Sequence, residues 1–176
     1  RYHPPMSQQP SIKFGPKANE AVVSVHTIGV LADILLAAGL DSCLITSTSR
    51  TPADQARIMF NNISTKGVAS QKALYAAAGR SVVDEFVKAK NAGKTRDGII
   101  AAMEAKIRAI GPAKVSHHCA DPAKLNVVDV APSSVAKPKA FESAVRAAIT
   151  RGKVSKFLTP GNSDPAFHIE IPQPAS

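Results

Sequence analysis

An aspartate set in a run of valines constrains this chain more than any other feature. In Val127-Val128-Asp129-Val130 every neighbour of the acid reads as buried strand. A charge buried alone is expensive unless it is paired or bound to a metal. The rest of the chain must supply the partner of Asp129.

The elements around that strand follow from periodicity and punctuation. Residues 1–17 are rich in Pro and Gln and read as an N-terminal arm or linker. From Asn19 to Ala38, Val22, Val25, Ile28, Ala32 and Leu35 recur at helical spacing, and Gly39 stops the run. Residues 43–48 (CLITST) read as a short buried strand. Thr51-Pro52-Ala53-Asp54 is a helix start, with Thr as cap, Pro in the first turn and an acid at the third position. That helix is predicted to run to about residue 62.

Helical stretches follow over 70–92, broken or kinked near Gly79, and over 95–110, closed by Gly111-Pro112. Residues 115–118 (VSHH) and 126–131 (NVVDVA) look strand-like. A helix over 138–151 and strands over 156–159 and 166–171 complete the pattern. Residues 18–176 therefore read as one α+β domain, a small antiparallel sheet flanked by helices.

The bulk numbers narrow the partners. Apolar residues make up 44% and charged residues 20%, an ordinary globular balance. No apolar run approaches the roughly 20 residues of a membrane span. The net charge of +9 points to an anionic partner or substrate. Nucleic acid is disfavoured, because Trp is absent, only two Tyr are present, and the Lys and Arg are scattered rather than bunched. A bacterial cell wall, rich in carboxylates and phosphates, suits the charge. The chain starts at Arg1 and shows no signal peptide, so it reads as a piece of a longer polypeptide. Cys43 and Cys119 have no CxxC spacing, which argues against a thiolate zinc knuckle. A disulfide between them suits an exported protein; two buried free thiols are the alternative.

Five histidines are available to Asp129. His3 lies in the arm and His26 in mid-helix, where packing or a surface position is its simplest role. His117, His118 and His168 sit in or beside predicted strands. Within Phe167-His168-Ile169-Glu170-Ile171, alternation puts His168 and Glu170 on one face and the apolar residues on the other. Two imidazoles and a carboxylate can make a three-ligand tetrahedral site whose fourth position is left to water, an arrangement favoured by catalytic zinc.

The order of these residues carries a resemblance. The stretch Thr46-Ser47-Thr48-Ser49-Arg50-Thr51-Pro52-Ala53-Asp54-Gln55, then Ser116-His117-His118 with Val127-Val128-Asp129-Val130, then Phe167-His168-Ile169-Glu170 follow one another as three motifs do in a known family. The chain resembles the VanY/D-alanyl-D-alanine carboxypeptidase family of zinc peptidases. That family includes phage endolysins that cut L-alanyl-D-glutamate bonds, and it shares its zinc-site architecture with lysostaphin-type enzymes and hedgehog domains.

The resemblance implies Zn²⁺ held by His118, Asp129 and His168, and peptidoglycan or muropeptide stems as substrate. It implies a module that acts outside the cytoplasm, whether secreted, periplasmic or virion-associated. Arg50 would bind a substrate carboxylate or stabilise the oxyanion, with Ser116, Gln55 and His117 as supporting or substrate-contacting residues. Three departures stand out. Ten residues separate His118 from Asp129, a longer spacing than is usual in the family. Residues 64–110 read as a helical insertion near the cleft. Where the family carries its catalytic glutamate, three residues before the last histidine, this chain has Pro165. Asp164 is the nearest replacement as general base and Glu170 the second candidate. A non-catalytic, metal-stabilised wall- or protein-binding domain is the rival expectation.

Overall fold

The computed structural model describes residues 9–161 and 165–175. They form an α+β fold with a five-stranded mixed sheet. The chain divides into two compact units: residues 1–49 with 121–176, and residues 50–120.

The first unit is built on the sheet. Its strands are β1 (Ser11–Phe14), β2 (Ser42–Ser47), β3 (Leu125–Val130), β4 (Lys156–Leu158) and β5 (Phe167–Pro172), in the spatial order β1-β2-β3-β5-β4. The pairs β2–β3, β3–β5 and β4–β5 are antiparallel. β1 instead lies parallel to β2, so the sheet is not antiparallel throughout as the sequence suggested. It also turns residues 11–14 of the expected arm or linker into an edge strand.

Helices α1 (Val25–Ala37) and α7 (Pro138–Thr150) belong to this unit. Alternation divides the strands into an apolar and a polar set. Ile45, Val128, Val130, Phe167, Ile169 and Ile171 join Leu31, Ile34, Leu35 and Phe141 of the helices in one core. Each such side chain contributes about 1.5–3 kcal/mol by leaving water. The intervening residues, including Asp129, His168 and Glu170, are left to the other face.

α1 begins later than its periodicity predicts. Glu20–Val22 form a 3-10 turn, and Ser24 caps the helix by accepting from the Thr27 amide. Asn126 Oδ1, at the start of β3, accepts from Ser24 N at 2.9 Å and from Thr27 Oγ1 at 2.7 Å. These bonds tie the helix start to the sheet. Gly39, at φ +70°, ends α1 as expected.

The second unit is helical: α2 (Pro52–Lys66), α3 (Val68–Leu74), α4 (Ala77–Asn91), α5 (Arg96–Ile110) and the single turn α6 (Pro112–Val115). The predicted start of α2 is a full capping box between Thr51 and Asp54. Its core gathers Met59, Ile63, Val82, Val83, Phe86, Met103 and Ile107.

The break expected near Gly79 falls at Tyr75-Ala76 instead, and Gly79 lies within α4. Its role is clearance, because a Cβ there would stand 2.4 Å from Tyr75 Cδ1. The VSHH stretch is not a strand. Val115 closes α6, and residues 117–119 form a 3-10 turn capped by the Ser116 hydroxyl. No helix among the described residues is long and apolar enough to cross a membrane.

Candidate metal centre

Antiparallel pairing places His168 of β5 directly opposite Asp129 of β3, with Glu170 two residues along the same face. Beside them β2 shifts register between Ile45 and Ser47, the latter partnering Asp129. Such irregularities re-aim side chains next to functional sites.

All three polar side chains are buried, with Asp129 8%, His168 5% and Glu170 5% exposed. His168 Nδ1 lies 3.0 Å from Asp129 Oδ1, and Nε2 lies 2.7 Å from Glu170 Oε2. Burial works against the protonated imidazole. The hydrogen bonds and charges of Asp129 and Glu170 outweigh it and raise the His168 pKa above its ordinary value.

His118 occupies the 3-10 turn that ends the helical unit and is half-buried. Two bonds fix its backbone: its amide donates to Ser116 Oγ at 3.2 Å, and its carbonyl accepts from Arg50 N at 2.5 Å. Among the described residues, His118, Asp129 and His168 form a group that can hold a metal ion. Their candidate ligand atoms all lie within 4.8 Å of one another.

The donor set fits a small divalent cation. Bonds of about 2.0–2.2 Å put two ligand atoms of a tetrahedral zinc roughly 3.3–3.6 Å apart. The 3.0 Å between His168 Nδ1 and Asp129 Oδ1 needs only a slight opening to reach that range. With Nδ1 turned to the metal, Nε2–H would donate to Glu170, the carboxylate–histidine–metal relay common around such ions.

Arg50 leads into α2. Its Nη1 donates to Gln55 Oε1 at 3.3 Å, and Gln55 is 1% exposed. The same oxygen is 3.8 Å from Cys119 Sγ. Tyr75, which no sequence signal singled out, joins this group through a side-chain hydrogen bond with Gln55. Burial is the largest influence on its phenol and raises the pKa; Arg50 and Gln55 pull the other way.

The helical unit thus brings Arg50, Gln55, Ser116 and His118 together and adds Tyr75. His117, expected to support the site or touch substrate, is exposed on the turn. Asp164 lies outside the described residues. Cys43 and Cys119 are both buried free thiols, with no disulfide between them. No family model, curated protein or solved structure matches the chain.

Proposed function

We propose that this protein is a zinc-dependent peptidase acting on the peptide stems of bacterial peptidoglycan, outside the cytoplasm. One observation carries the reading. The three residues selected by motif order, His118, Asp129 and His168, are also the group whose ligand atoms converge. Separations of 10 and 38 residues along the chain give no local reason for that convergence.

His118, Asp129 and His168 would hold a zinc ion, which when bound would lower the pKa of a water toward about 7 and act as a Lewis acid for the scissile carbonyl. The chain's own residues do the rest. Glu170, committed to His168 Nε2, holds the imidazole in one orientation and tautomer. The proton-accepting carboxylate then falls to Asp164, which would pass the proton to the leaving amine. Arg50, held by Gln55, brings positive charge to a substrate carboxylate or to the developing oxyanion.

A second reading, the same fold without turnover, is favoured by one feature: Pro165 stands where the resembled family carries its catalytic glutamate. Incubating the zinc-loaded protein with purified peptidoglycan separates the two. Release of new amino groups supports the peptidase. Zinc retention with no release from walls of several stem compositions supports the binding domain.

A further inference from the structure

The positive charge of this chain is unevenly placed. Residues 50–120 carry twelve Lys and Arg against five Asp and Glu, a net of +7 out of the whole +9. Within that unit the charge concentrates at one end of the antiparallel pair α4–α5. Lys88, Lys90, Lys94 and Arg96 fall within nine residues that contain no acid, and residues 90–97 are all exposed.

Elsewhere in the unit three cations meet carboxylates: Arg57 with Asp54, Lys72 with Asp84 at 2.6 Å, Arg108 with Glu104 at 3.1 Å. Among the described residues Lys88, Lys90 and Lys94 make no such pair, and Arg96 reaches Asp97 at 3.9 Å with both side chains solvent-facing. Two of the four heads rest on aromatic rings instead. Lys90 Nζ lies 5.8 Å over Phe86 and the Arg96 guanidinium 5.3 Å over Phe60, and the two rings are themselves 5.5 Å apart. A ring face orders a cation without neutralising it, so this end of the unit presents ordered positive charge offset only in part by the exposed Asp97.

We propose that the α4–α5 end, through Lys88, Lys90, Lys94 and Arg96, binds a phosphodiester-bearing anionic polymer of the bacterial cell wall. The choice of a wall polymer rests on the proposed cell-wall function. The chemistry rests on the cation cluster, which suits evenly spaced single negative charges on a flexible chain. A stacking site for bases is not part of it, since Phe86 is buried beneath Lys90 with 4% exposure.

The test uses the full chain and purified Gram-positive walls, before and after hydrofluoric acid removes their phosphate polymers. Bound protein is measured by sedimentation, and peptide release is scored separately in the same tubes. Untreated walls should bind the protein with an affinity that falls roughly 10–100-fold between 50 and 200 mM salt, as about four phosphate contacts require. Stripped walls, and the Lys88→Gln/Lys90→Gln/Lys94→Gln/Arg96→Gln variant on untreated walls, should lose most of that binding. A charge-preserving Lys88→Arg/Lys90→Arg/Lys94→Arg variant should keep it. Binding unchanged by the glutamine variant or by stripping overturns the proposal. So does tighter binding to duplex DNA at equal phosphate concentration. Salt-sensitive binding without peptide release supports this surface and counts against the peptidase alone.

Discussion

Nε2 of His168 and the Glu170 carboxylate lie 2.7 Å apart, both buried, two residues apart on one face of β5. A carboxylate so placed cannot easily leave to serve as a base, but it can fix which imidazole nitrogen faces a metal. Glu170→Gln should therefore keep the fold and bind zinc 10–100-fold more weakly, the usual effect of removing such a partner. A competition titration with a chelator reads this directly. Unaltered zinc affinity in Glu170→Gln would mean that the pair does not tune the site.

Asp164→Asn separates proton transfer from metal binding. Zinc content should stay at the wild-type level while the rate of amine release falls about 10²–10⁴-fold, the contribution of a positioned acid–base group. A larger rate loss in Glu170→Gln than in Asp164→Asn, with zinc saturating both, would move the base to Glu170.

The two glycines at positions 29 and 79 should respond in opposite directions to alanine. Gly29 lies in α1 with open space where a Cβ would go, so Gly29→Ala should stabilise by about 0.5–1 kcal/mol. At Gly79 the Cβ would collide with the Tyr75 ring, and the change should cost about 1–3 kcal/mol. Because Tyr75 touches Gln55, and Gln55 holds Arg50, Gly79→Ala should also raise KM more than it lowers kcat. Equal stabilisation by both substitutions in denaturant melts would show that Tyr75 does not pack over Gly79.

Cys43 and Cys119 should be silent toward thiol reagents in the native protein near pH 7.5 and label fully in denaturant. Burial pushes both thiols up to about 11, so neither offers thiolate at neutral pH. Their folded pKa lies above the unfolded value, so stability is full below about 8.5 and is lost as pH rises toward 11. Rapid labelling of both in the native state would contradict their burial.

What the sequence revealed and what it hid divide along the range of the causes. Thr51 and Asp54 are three residues apart, and the cap they form was legible because both of its bonds are local. Asp129 was legible because a buried charge demands a partner, and strand alternation in residues 167–171 put His168 and Glu170 on one face. The parallel edge strand at residues 11–14 was hidden, because its partners in β2 are about thirty residues away and parallel pairing leaves no local period. VSHH looked like strand by its apolar start. Pro112 instead opens a helical turn and Ser116 caps the next, so His118 reaches its place from a 3-10 turn. The contact between Gln55 and Tyr75 spans twenty residues across the helix break at Gly67, and no spacing rule points to it.

The central claim is a metal held by His118, Asp129 and His168, and elemental analysis after zinc loading and desalting tests it most directly. The wild-type protein should retain about one zinc per chain, as a single three-ligand site requires. His118→Ala and His168→Ala should retain essentially none, and His117→Ala should match the wild type. Loading should also strengthen from pH 5.5 to 7.5, because the proton that Asp129 and Glu170 help His168 to hold must leave when metal binds. Full occupancy in both His118→Ala and His168→Ala, or no zinc retained by the wild type at pH 7.5, would contradict the account.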